Sequence, residues 1–62
     1  MTTLMNIYVA GFLVYGPIPF DNVRDCAVAA TEAVSAGVTG VRVRGVCYNR
    51  FRGTVKFDTD LN

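Results

Sequence analysis

Residues 38–58, Val-Thr-Gly-Val-Arg-Val-Arg-Gly-Val-Cys-Tyr-Asn-Arg-Phe-Arg-Gly-Thr-Val-Lys-Phe-Asp, constrain the fold most, because apolar and basic side chains alternate along them. Neighbours on a strand point to opposite faces. Val41, Val43, Gly45 and Cys47 therefore share one face of a first strand, and Arg42, Arg44, Val46 and Tyr48 share the other. In a second strand Gly53, Val55 and Phe57 stand against Arg52, Thr54, Lys56 and Asp58. The stretch predicts a β-hairpin with one apolar and one basic face. A two-residue loop at Asn49-Arg50 would pair Tyr48 with Phe51 and put the arginines on the face of Val55 and Phe57. A one-residue slip of that kind exchanges the faces, so an odd loop or a bulge around Asn49-Arg50-Phe51 is expected, with Asn49 at positive φ. Gly45 and Gly53 mark bulges or close backbone approach.

Upstream, Asn6 to Tyr15 is rich in β-branched and aromatic residues and is only ten residues long, which favours one strand over a helix. It is apolar on both faces, with Ile7, Val9, Leu13 and Tyr15 on one and Tyr8, Ala10, Phe12 and Val14 on the other. One helical layer covers one face of a sheet, so the second face is either covered by another subunit or left as an exposed patch. Met1 to Met5 reads as a frayed start and Asp58 to Asn62 as a polar tail. Gly16-Pro17-Ile18-Pro19-Phe20 reads as a loop, since each proline removes a backbone donor. Asp21 or Asn22 then caps a helix running to about Ala36, with Gly37 after its end. Its predicted buried stripe is Val23, Ala27, Ala30 and Val34, flanked by Cys26 and Ala33. Gly37-Val38-Thr39-Gly40 reads as a helix stop and turn.

The expected fold is α+β, a single domain over residues 1–62 in the order β-α-β-β. A three-stranded sheet of order 1-3-2 would carry the helix on one face, as half of a ferredoxin-like fold. Direct pairing of strands one and two is the alternative.

A 62-residue chain builds a core worth only about 3–5 kcal/mol, so metals, disulfides or a second subunit often assist. The chain has no histidine, and its two cysteines, Cys26 and Cys47, do not make a zinc set. They are expected as buried free thiols in a reducing cytosol, with a disulfide as the alternative. No signal peptide is expected, and the apolar run Ile7–Phe20 is too short and too interrupted to span a bilayer. The default location is cytoplasmic, with no membrane association.

Without histidine there is no Ser-His or Cys-His pair. Asp25 and Glu32 suit a solvated helix face, and no P-loop lysine follows Gly37. No enzyme, metal site or cofactor is expected. Five of the six basic residues, Arg42, Arg44, Arg50, Arg52 and Lys56, lie in the hairpin, while the net charge is only +1. With Tyr48, Tyr8 and Phe12 they form the candidate partner-binding set. Two functions fit: a protein-binding module, or a nucleic-acid binder combining phosphate contacts with base stacking. A homodimer is a further expectation from the two-sided apolar strand.

Three likenesses bear on this. Arg44-Gly45-Val46-Cys47-Tyr48 and Arg52-Gly53-Thr54-Val55-Lys56-Phe57 begin like the signature of the RNA-recognition motif and then lose its aromatics. The strand-helix-strand-strand order is similar to that of dodecins, which on topology alone implies a small oligomeric ligand-binding protein. The profile of one small domain, no active site and a charged sheet surface resembles phage-encoded inhibitors such as anti-CRISPR proteins. That resemblance implies a viral protein that occupies a surface of a host protein or nucleoprotein complex.

Overall fold

The computed structural model describes residues 2–37 and 41–61. The elements are β1 (Thr3–Val9), β2 (Phe12–Phe20), α1 (Val23–Ser35), β3 (Val43–Asn49) and β4 (Val55–Leu61). They form a small α+β domain, with one helix on a four-stranded antiparallel sheet of order β2-β1-β3-β4. The sheet therefore has one strand more than expected.

The extra strand comes from the apolar stretch, which folds back on itself. Ala10 and Gly11 both have positive φ, 52° and 85°, and Val9 pairs with Phe12 across them. Positive φ at both centres of a two-residue loop is the geometry whose twist matches a hairpin. Glycine adopts it freely, whereas alanine there costs roughly 1–2 kcal/mol. The Ala10 amide donates to the Arg42 carbonyl at 2.8 Å, tying the turn to the chain entering β3.

β1 starts at Thr3, so residues 3–5 are ordered sheet rather than a frayed start. β2 runs through Gly16, Pro17 and Pro19 to Phe20, where a loop was expected. It is an edge strand, which tolerates prolines because the outer side of an edge has no ladder partner. Register shifts against Met5, Ile7 and Tyr8 absorb the irregularity.

β2 and β3 both run antiparallel to β1, which lies between them, so they are parallel to each other. The connection β2-α1-β3 therefore passes over an inserted strand, a split β-α-β unit. Insertion was expected, but of the last strand; β1 takes that place and β4 lies outside. β4 reaches Leu61, so Asp58–Leu61 is strand and not tail.

The helix matches its expected limits. Asn22 caps it, its Oδ1 accepting the Asp25 amide at 2.8 Å, and Ala36 closes it. The buried line is Cys26, Ala30 and Val34; Val23, expected in the stripe, is exposed. The turn expected at 37–40 falls on residues 38–40, outside the described residues. No helix among the described residues is long and apolar enough to cross a membrane.

The core joins Cys26, Ala30 and Val34 to Met5, Ile7, Val43 and Cys47. Gly45 lets the helix approach β3, since a Cβ there would lie 3.0 Å from the Ala30 Cβ. Cys26 and Cys47 are fully buried but not free: they form a disulfide between helix and sheet. Packing of the helix over β3 brings the two sulfurs together, a meeting that a 21-residue separation does not reveal. Closing a loop of this size stabilises a domain by about 3 kcal/mol in the chain-entropy account.

The turn gives a direct test of the hairpin. Ala10→Asn relieves the left-handed strain and should raise stability by about 1 kcal/mol, read as a higher denaturation midpoint. A lower midpoint would show that residue 10 is not in a left-handed turn.

Candidate functional site

The sheet face away from the helix carries Tyr8, Arg42, Arg44 and Tyr48 of the candidate residues. Thr3, Met5 and Ile7 are buried toward the helix, so Leu4, Asn6 and Tyr8 face outward from β1. On β3, Val43, Gly45 and Cys47 face the helix, leaving Arg44, Val46 and Tyr48 on the open side as expected. The register sets Tyr8 beside Arg44, Asn6 beside Val46 and Leu4 beside Tyr48. Asn6 links the two tyrosines: its Nδ2 donates to the Tyr8 hydroxyl at 3.2 Å, and the Tyr48 hydroxyl donates to its Oδ1 at 3.4 Å.

The arginines are less available than their spacing implied. Arg44 Nε donates to Asp58 Oδ1 at 2.9 Å, and its Nη2 donates to the second oxygen. Arg42 Nη2 lies 3.3 Å from Asp60 Oδ2. Asp58 and Asp60 alternate outward along β4 opposite Val46 and Arg44, so each arginine meets a carboxylate one row along. The hydrogen bonds from Arg44 hold the Asp58 carboxyl below its ordinary value, and the same bonds with the Asp58 charge raise the Arg44 guanidinium. Tyr8, Ala10, Gly11, Arg42 and Arg44 line an open concavity of about 670 Å³ at the turn end of this face.

The other basic residues lie elsewhere. A register shift between Cys47 and Tyr48 leaves Lys56 without a paired residue and sets Val55 opposite Tyr48. Val55 thus parts from Phe57, which stays on the helix side; the two were expected together. The shift falls at Lys56, not at Asn49-Arg50-Phe51. Asn49 is not at positive φ; Gly53 is, at 72°. Asn49 instead uses its side chain, whose Oδ1 accepts the Phe51 and Arg52 amides, each at 2.9 Å. The loop it holds presents Arg50, Phe51 and Arg52 at the opposite end from Arg42, with the Arg50 guanidinium 5.7 Å from the Phe51 ring centre. Among the described residues only Arg42 and Arg44 form salt bridges.

Phe12 does not join the tyrosines. It pairs with Val9, on the helix side of the sheet, and is 76% exposed. Leu13, Val14 and Tyr15 follow it at 51%, 49% and 64% exposure. They form half of an edge strand that has no charged residue from Phe12 to Phe20. The apolar alternation on both faces was the sequence signal for this patch; the fold-back turned it into an edge. Leu13, Val14 and Tyr15 were not in the candidate set, nor were Asp58 and Asp60.

Among the described residues no three of His, Cys, Asp and Glu gather as metal ligands. Asp25 is engaged at the helix cap, where Asn22 Nδ2 donates to its carboxylate at 3.4 Å. No protein-family model, curated protein or solved structure matches the chain.

The Arg44–Asp58 pair has a pH signature. A carboxyl held low contributes stability that is complete above 3.8 and is lost as pH falls through its folded value. The pair is exposed and screened by solvent, so the loss should be small. A carboxyl-carbon NMR titration should find Asp58 below the ordinary range and find it restored in Arg44→Gln. An Asp58 midpoint unmoved by that substitution would mean that the pair does not form.

Proposed function

We propose that this chain is a small non-enzymatic protein-binding module that acts by occupying a partner's surface, with β2 as its docking strand. The observation that carries this reading is the run Phe12-Leu13-Val14-Tyr15, four exposed apolar residues on an uncharged sheet edge. Exposed edges pair with other chains unless guarded, and adding a strand is a recurrent mode of protein recognition. The open face supports the reading less directly, because its arginines are already held by aspartates.

Nucleic-acid binding is the second reading. What favours it is the loop tip, where Arg50 and Arg52 flank an outward Phe51 that is 77% exposed. The likeness to dodecins loses its basis, since two strands and not one precede the helix. A phage-type inhibitor is one form of the protein-binding reading. The Cys26–Cys47 bond weighs against action in a reducing cytoplasm and supports a site of action in an oxidising compartment.

Affinity capture with tagged chain tests the reading. Leu13→Lys with Val14→Lys should abolish capture while leaving the thermal midpoint within about 0.5 kcal/mol of stability, as for exposed substitutions. Arg50→Glu with Arg52→Glu should leave capture intact. The opposite pattern, or tight binding to arbitrary RNA at physiological salt, would favour nucleic acid instead.

A further inference from the structure

We infer that the Cys26–Cys47 bond is a redox lock on α1, with Phe57 as the gate that keeps thiols from it. A dithiol that passes the gate opens the lock and releases the helix from the sheet. The inference does not depend on the docking strand.

The helix rests on the sheet through small side chains. Cys26, Ala30 and Val34 are its buried residues, and beneath Ala30 the strand has only Gly45. Its other valines, Val23 and Val28, are exposed. Such a seam buries little apolar area, so the covalent bond carries much of the attachment. Breaking a cross-link between residues 21 apart lowers the ratio of folded to unfolded chain by about a hundredfold in the chain-entropy account. A domain with so small a core has little stability in reserve against such a loss.

The cover over the bond is uneven. Both cysteines are fully buried. On one side β1, in the middle of the sheet, sets the buried Met5 beside Cys47, and the Leu4 carbonyl lies 4.0 Å from the Cys26 Sγ. On the other side the edge strand β4 sets Phe57 opposite Cys47. Phe57 packs on the core but is only half-buried. With Ala27, Val28, Thr31 and Glu32 it lines an open groove of about 380 Å³ between helix and edge strand. Ala27 follows Cys26 in the chain and Phe57 is the cross-strand partner of Cys47, so neighbours of both cysteines line that groove. The Phe57 ring stands between the groove and the bond.

Once the ring moves aside and the helix tilts, the exchange is ordinary thiol chemistry. A thiolate of the dithiol bonds to one sulfur, the Cys26–Cys47 bond breaks, and the other cysteine leaves as a thiolate that takes a proton from water. The second thiolate of the dithiol then attacks the mixed disulfide, closes the reductant's own disulfide and frees the remaining cysteine, which is protonated in turn. The chain gains two electrons and two protons, and the dithiol is oxidised. Glu32 on the groove's rim repels anionic thiols on their way in.

Reduction by dithiothreitol, followed by mass labelling of freed thiols and by helical circular dichroism, provides the test. The native chain should be reduced about a hundredfold or more slowly than the chain in denaturant, and the helical signal should fall in step with reduction. Phe57→Ala should speed reduction by about tenfold beyond Val34→Ala, a core deletion at the far end of the helix. Equal acceleration by the two would mean that the bond is reached by general unfolding, and overturns the gate. Glu32→Gln, an exposed change, should speed reduction by the anionic thiol mercaptoethanesulfonate about twofold relative to the cationic thiol cysteamine. That comparison uses a chain with its core intact, so it decides the route even where Phe57→Ala does not fold; an unaltered ratio overturns entry by the groove. A native bond reduced as fast as the unfolded one, or a fully reduced chain that keeps its whole helical signal, overturns the lock.

Discussion

The fold depends on one reversal of direction, at Ala10-Gly11, where two consecutive residues hold positive φ. It splits a run of apolar residues that is too long for the cover available. The first half becomes β1, hydrogen-bonded on both sides, and the second becomes the edge strand β2. A single strand through residues 6–15 would leave an apolar face without cover. Folding it back places the first half in the centre of the sheet and leaves the excess at one edge. The crossover through α1, the place of β3 and the exposed Phe12–Tyr15 segment all follow from that turn.

The helix is held by close approach and by a covalent bond. Cys26, Ala30 and Val34 give α1 a narrow buried line, and Gly45 opens β3 beneath Ala30. Contact between such small residues buries little apolar surface, and each Å² contributes only roughly 25 cal/mol. The Cys26–Cys47 disulfide compensates by restricting the unfolded chain, as suits a domain with so small a core.

Local pattern was legible where it was regular. Alternation placed Arg44, Val46 and Tyr48 on one face of β3, and the Asn22 cap and Gly37 bracketed the helix. What escaped was set by context. Ala-Gly inside an apolar run carries no turn signal, because alanine rarely takes positive φ. Pro17 and Pro19 signalled a loop; an edge position makes them compatible with a strand. Asp58 and Asp60 are of a type depleted in strands, so β4 read as a tail. Only pairing with β3 reveals that the aspartates lie within reach of Arg42 and Arg44. The candidate site changes accordingly, from a free basic face to paired arginines at one end and a basic, aromatic loop at the other.

Cross-strand nuclear Overhauser contacts in uniformly labelled protein test the central position of β1 most directly. Backbone contacts should join Tyr8 to Leu13 and Val9 to Phe12 on one side, and Asn6 to Val46 and Tyr8 to Arg44 on the other. Sequential contacts of one extended strand from Asn6 to Tyr15, with none between its halves, would contradict the fold-back and with it the four-stranded sheet.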